Sequence, residues 1–260
     1  MLGSAALFAG MALAVEQAHR LDPHLSAWVS TAVRSVVSLV VLFILVRGNP
    51  RGLLGDARPA LWARGLLGAV SLLSYFAAIS MVGAGEATFL MQTSAVWIVI
   101  LAPLVLKESS PPLIWAAVVM SLVGVGLLMG ASTGEPDLFG RVLGLCSGLA
   151  AAGAMLSVRR ASRTNTPTVI VFWFSAIGTL VTLVVLGVSG ATLPQAPEVW
   201  AALLTAALAA TFAQLLMTSA YQVGRAPLVA AAGSSSPLMA ALGAWWVFGQ
   251  HPSPRAQIGM

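Results

Sequence analysis

Runs of about twenty apolar residues recur along the whole chain, and almost every charge lies in the short stretches between them. The first half supplies runs at 2–18, 25–46, 61–82, 86–106 and 113–130; the second supplies 138–158, 168–188, 199–222 and 227–248. At ~1.5 Å per residue a helix of ~20 residues covers the ~30 Å hydrocarbon core of a bilayer. Charged residues make up 8% of the chain, against roughly 25% in an ordinary soluble domain. Such a chain cannot cover its own surface with polar groups in water. It is expected to be an all-α integral membrane protein with nine complete spans and the lipid bilayer as its surroundings.

The net charge of +5 does not argue for nucleic acid, because the thirteen basic residues, Arg34 excepted, cluster in short loops, as membrane orientation requires. Cys146, the one cysteine, excludes an internal disulfide and reads as a small core residue rather than a nucleophile.

One stretch occurs twice. Residues 83–97, followed by Lys107-Glu108, are echoed by residues 224–239, followed by Gly249-Gln250. Glu108 and Gln250 stand 142 positions apart; residues 2–10 match 143–151 at an offset of 141, and 38–42 match 182–186 at 144. Four regions agreeing on nearly one offset indicate an internal duplication of five spans, dividing the chain into 1–130, a polar linker at 131–137, and 138–260. After Gln250 only ten residues remain, which read as the first turn of a tenth span. A truncated chain is the expectation, and a nine-span protein the alternative.

An odd number of spans per repeat forces the two halves into opposite senses in the membrane. With the N-terminus inside, the cytoplasmic loops hold Arg47, Arg51, Arg58, Arg64, Lys107, Arg159, Arg160, Arg163 and Arg225. The other side holds Arg20, Arg141 and Arg255, a bias of nine to three that places the N-terminus in the cytoplasm. Inverted repeats put a solute site at their interface near the midplane and let the halves rock around it. A multi-pass transporter of a small polar solute follows.

Polar residues inside the spans mark where that site would lie, since mid-membrane polar groups are expensive unless they face partners or a wet cavity. Gln92, Thr93 and Ser94 interrupt the fourth span, and Ser234, Ser235 and Ser236 interrupt the ninth. They either line a cavity, bond back to their own helix, or form a small-residue packing face. Pro237 frees one carbonyl in the preceding turn. Gln214 and Thr218 share one face of the eighth span at i, i+4 spacing. Tyr75 and Trp97 can stack on an aromatic or cationic solute, or simply fill the bundle. Arg34, about ten residues into its span, is either a functional group seeking a partner or a structural residue reaching an interface. Glu16 and Glu86 fall near span ends, where Glu86 can cap its helix; coupling to a proton through either is the minor reading.

Nothing supports catalysis or a cofactor. His19, His24 and His251 lie in loops without metal-ligand spacing, and no phosphate-binding loop, nucleophile elbow or zinc-protease motif is present. A channel lacks any filter-like loop. A non-transporting scaffold fits the abundance of Gly and Ala but leaves the paired polar clusters unexplained.

The residues also resemble a family. Trp62-Ala63-Arg64-Gly65-Leu66-Leu67-Gly68, Tyr75-Phe76-Ala77-Ala78-Ile79, Glu86-Ala87-Thr88-Phe89-Leu90, Thr93-Ser94 and Leu106-Lys107-Glu108 are similar to EamA-type members of the drug/metabolite transporter superfamily. Ala220-Tyr221, Arg225-Ala226-Pro227-Leu228, Ser236-Pro237 and Gly249-Gln250 continue the pattern. The resemblance implies ten helices in two inverted five-helix repeats. It further implies a cavity lined by spans three, four, eight and nine, and export of small metabolites such as amino acids across a bacterial cytoplasmic membrane. Two departures are Ala95, where the family usually has proline, and Gln250, where it often has glutamate.

Overall fold

A computed structural model of the chain describes residues 1–47, 51–56, 58–129 and 137–249. Among the described residues every regular element is helical: α1 Leu2–Leu21, α2 Ala27–Leu45, α3 Arg51–Leu54, α4 Pro59–Gln92, α5 Ser94–Val105 and α6 Pro112–Met129. The second half contributes α7 Leu138–Ala161, α8 Pro167–Ser189, α9 Pro197–Val223, α10 Ala226–Gly233 and α11 Ser236–Phe248. Among the described residues, seven stretches are long and apolar enough to cross a membrane: Ala27–Leu45, Pro59–Gly83, Glu86–Val105, Leu138–Ala161, Pro167–Ser189, Pro197–Val223 and Ala226–Phe248. The less apolar α1 and the shorter apolar stretch Pro112–Leu127 of α6 occupy the other two expected runs. Most of the expected linker, and the start of a tenth span, lie outside the described residues.

Local chemistry sets the helix starts. The Ser26 side chain accepts from the Trp28 N–H, and the Asp137 side chain accepts from Phe139 and Gly140, satisfying donors that a helix start leaves free. Proline opens α4, α8 and α9, where its missing N–H costs nothing. Within α4, Gly83 has φ 82° and ψ 162°, a conformation essentially reserved for glycine, and the chain turns back there. α4 is therefore two spans joined at Gly83.

The packing is symmetric about the seam between the halves. α1 runs antiparallel to α9: the Ser4 hydroxyl donates to the Ala213 carbonyl (2.8 Å), and Ala18 shares a core cluster with Val199 and Leu203. It runs parallel to α10 and α11, with Met1 beside Gly233, Leu13 beside Gly243 and the Arg20 guanidinium 4.1 Å from the Phe248 ring centre. α7 repeats this in the other half. It is antiparallel to the first limb of α4, where Ser71 donates to the Ser147 carbonyl (2.9 Å) and Leu67 meets Gly153. It is parallel to the second limb and α5, with Leu90 beside Gly144, Thr93 beside Gly148 and Glu108 paired with Arg159.

Equivalent helices run in opposite senses. Met1, at the start of α1, packs against the core cluster that contains Val158 and Ala161, at the end of α7. The inversion required by an odd number of spans is present in the fold.

Two expectations are corrected. Cys146 is exposed on α7, on the face away from α4, and is not a core residue. Arg64 is not a loop charge: it is 2% exposed inside the bundle, in the second turn of α4. The face of Phe174 lies 3.8 Å from its guanidinium, and Gln214 accepts its hydrogen bond, so the cation has partners that a loop would not provide.

Candidate functional site

Both polar clusters break their helices. α4 ends at Gln92 and α5 begins at Ser94; α10 ends at Gly233 and α11 begins at Ser236. The breaks occupy equivalent places in the two halves. Interrupted helices at mid-membrane depth are tolerated only where they are buried in protein or line a cavity, and they recur at transporter binding sites.

Several hydroxyls at the breaks turn back on the chain. Thr93 donates to the Leu90 carbonyl (2.6 Å), Ser234 to Ala230 (3.3 Å) and Ser235 to Ala232 (2.8 Å). Thr93 also faces Gly148 on α7 rather than the seam centre. Gln92, Ser94 and Ser236 are half-buried, and no side-chain hydrogen bond engages them among the described residues. Pro237 stands in the first turn of α11.

The Tyr75 hydroxyl shares a hydrogen bond with the Thr88 hydroxyl (2.8 Å), tying the two limbs of α4 together across Gly83. Trp97 packs against the core cluster that holds Met217 and Tyr221, and its Nε1 is buried with no partner among the described residues.

On α9, Gln214, Thr218 and Tyr221 share one face by their spacing. Gln214 Oε1 accepts from Arg64 Nη2 (3.2 Å). Thr218 is 1% exposed, and its hydroxyl has no partner among the described residues. Arg34 lies on α2 beside Val33, which packs against the cluster of Val199 and Leu203 on α9. Neighbouring contacts fix α2 in place: Ser38 and Thr211 share a hydroxyl hydrogen bond (2.7 Å), and Ser35 packs against Gly178. Arg64 of α4 and Gln214 of α9 thus meet across the seam, with Thr218 one turn further along α9 and Trp97 of α5 against the cluster that holds Tyr221. Arg64 was missed as a site residue, although a cation six positions into an apolar helix was the available signal.

One end of the seam is closed. Leu61, Ile98, Ala102, Leu156, Val158, Ile170, Tyr221 and Val229 form a single buried cluster there. Arg159 donates to Glu108 Oε1 (2.7 Å) and to the carbonyls of Tyr221 (2.9 Å) and Gln222 (2.6 Å), while Glu108 Oε2 accepts from the Ala226 N–H (2.7 Å). Nearby, Asp56 accepts from Thr164 (2.6 Å) and Asn165 (2.8 Å), and Gln222 donates to the Asn165 carbonyl (3.0 Å). The hydrogen bonds from Thr164 and Asn165 hold the Asp56 carboxyl below the usual carboxylate range, so this tie is intact at neutral pH. Arg58, Arg159, Arg160, Arg163, Lys107 and Arg225 surround this basic end. At the opposite end Glu86 pairs with Arg141 at the start of α7, rather than only capping its own helix.

Two inverted helical halves, with matched helix breaks along a polar seam, define the class: a multi-pass membrane transporter. The chain belongs to the EamA-like transporter family, whose profile matches residues 1–130 and 138–260. It is similar to the pseudopaline exporter CntI of Pseudomonas aeruginosa strain UCBPP-PA14, at 27% identity over 197 residues, covering 76% of this chain and 69% of that protein. The same exporter from strain PAO1 is 26% identical over the same shares. A protein of known crystal structure shares the fold, with a TM-score of 0.84 at 20% identity over 99% of this chain and 91% of the other.

Proposed function

We propose that this protein is a secondary exporter of small polar metabolites, amino acids among them, working by alternating access through the seam between its halves. The observation that carries this reading is the seam itself: matched helix breaks surround buried polar groups, and packing and ion pairs shut one end. Closure at one end is what a carrier needs while the other end is open. The names of the curated relatives, both exporters, support the direction.

In this reading the basic end faces the cytoplasm of a bacterium, because short cytoplasmic loops carry the excess of Lys and Arg. The N-terminus is then cytoplasmic, and the closed-inside arrangement is one of two alternating states. The bias stands on the loop residues, since Arg64 and Arg34 are both inside the bundle. Glu86 is paired with Arg141 and Glu16 with Arg20 in this state.

The small-residue face of α7 does not call for a scaffold role. Gly140, Gly144 and Gly148 are used inside the chain, against Met81, Leu90 and Thr93.

Transport is tested by metabolite flux. Cells lacking the protein should retain more of at least one small metabolite than cells expressing it, and vesicles carrying the protein should release it. In the same vesicles, Gln214→Leu should reduce efflux about tenfold or more, because it leaves the buried Arg64 guanidinium without its acceptor. Unchanged fluxes across a broad metabolite panel would end the transport reading.

A further inference from the structure

The basic end of the seam shows what a closed end is made of. Arg159, in the last turn of α7, pairs with Glu108 just beyond α5 and donates to the last carbonyls of α9, those of Tyr221 and Gln222. The apolar cluster beside it likewise joins the ends of α7 and α5 to the end of α9 and the start of α10. An inverted repeat carries the same arrangement to the opposite end. There α1 stands for α7, α11 for α5, the first limb of α4 for α9, and the Gly83 turn for the bend between α9 and α10.

Half of that arrangement is in place. Arg20 occupies the last turn of α1, as Arg159 does in α7. It lies on the end of α11, its guanidinium 4.1 Å from the ring centre of Phe248, the last residue of that helix. The crossing to α4 is missing. The core cluster at this end, Ala18, Leu25, Val29, Val199 and Leu203, contains no described residue of either limb of α4. The first limb instead ends against α7, with Met81 and Val82 beside Gly140. Phe76 of that limb reaches Trp28 of α2 (ring centres 4.7 Å), but among the described residues Arg20 has no partner on α4. Arg20 is turned back on its own helix, where Glu16 Oε1 accepts from its Nη2 at 2.8 Å. Its side chain is 43% exposed, against 21% for Arg159.

We propose that Arg20 is the latch of the opposite end. When that end closes, its guanidinium leaves Glu16 and donates to the last carbonyls of the first limb of α4, as Arg159 does to those of α9. The latch rests on the transport reading above and names the group that holds its other state. The chemistry suits the exchange. The Phe248 ring takes the face of the guanidinium and leaves its edge N–H donors for oxygens. Carbonyls just before the Gly83 turn lie at a helix C-terminus, which lacks partners and favours a cation. Glu16 holds those donors while the end stays open. Gln250 stands at the repeat position of Glu108, so this latch has no carboxylate there and relies on the carbonyls.

The test uses the full chain in sealed vesicles of known orientation, on a Cys146→Ala background with Thr218→Cys as the reporter. A thiol reagent that cannot cross lipid is applied from the basic side. The labelling rate then follows the time for which the basic end is open and the opposite end is shut. Arg20→Gln should slow labelling and Glu16→Gln should speed it, each about two- to fivefold, the worth of one partly exposed ion pair. Arg20→Lys should label close to the unchanged rate, because the positive charge at the helix end remains. The opposite signs carry the test. A pair that merely steadies α1 loses the same bond in both variants and would move them the same way. The latch is overturned if the two variants shift labelling in one direction, or if neither shifts it. Metabolite efflux from the same vesicles separates the two readings. Opposite shifts in labelling while no metabolite crosses keep the latch and remove the transporter. Efflux that persists while neither variant alters labelling keeps the transporter and removes the latch.

Discussion

Replacing Arg159 with leucine is expected to unlock the basic end of the seam and to destabilise the fold by about 2–3 kcal/mol. One guanidinium there holds three chain segments: the end of α7 that bears it, Glu108 beyond α5, and the carbonyls that close α9. Glu108 in turn holds the first N–H of α10. The side chains are 21% and 12% exposed, so water screens the pair only in part. The effect is set below the ~3–5 kcal/mol of a fully buried pair for that reason. Removing the arginine strands a carboxylate and two helix-terminal carbonyls at once. Two readouts check it. The unfolding temperature should fall, and a cysteine placed at Thr218 should become reactive toward a soluble thiol reagent applied from the basic side. An unchanged melting temperature with unchanged reactivity would mean that the apolar cluster alone keeps this end shut.

The second large effect is expected at Gly148. A Cβ added there would stand 2.6 Å from Thr93 Oγ1, 2.9 Å from the Leu90 carbonyl oxygen and 3.2 Å from that of Met91. Two of the three neighbours are backbone, at the point where α4 gives way to α5, and cannot step aside by rotating a side chain. Gly148→Leu must therefore push α7 away from the helix break, at an expected cost of about 3 kcal/mol. Cys146→Leu, two positions away on the exposed face, should stay within about 0.5 kcal/mol. Comparing the two variants by thermal unfolding in nanodiscs separates close helix contact from a general intolerance of bulk. Equal stabilities would show that the contact at Gly148 is not a tight one.

The order of spans and their inversion could be read from the chain because they depend on local quantities. A run of apolar residues either is or is not long enough for the bilayer, and an odd count of spans reverses the second half. The Gly83 turn was visible as the start of a repeated stretch, and the clusters at Gln92–Ser94 and Ser234–Ser236 as polar groups in costly places. That the helices stop there was not visible, since serine and threonine often sit inside intact helices and bond back to the preceding turn.

Arg64 shows the limit most clearly. In the charge count it belonged to a cytoplasmic loop, and only its packing against Phe174 and its bond to Gln214, 150 positions away, place it in the interior. The pairs Glu108–Arg159 and Glu86–Arg141 are likewise products of tertiary packing, at separations of 51 and 55 residues. No periodicity records them. Thr93 belonged to a polar cluster in the sequence, yet its neighbour is Gly148.

The inverted seam is tested most directly by asking which membrane face the equivalent loops reach. On a Cys146→Ala background, single cysteines replace His24, between α1 and α2, and Arg163, between α7 and α8; both residues are exposed. A thiol reagent that cannot cross lipid is then applied to sealed vesicles of known orientation. The two positions correspond in the two repeats, and inverted halves require them to label from opposite faces, Arg163→Cys from the side of the basic loops. Labelling of both from one face would mean that the halves run in the same sense, and the shared seam with its transport role would fall with it.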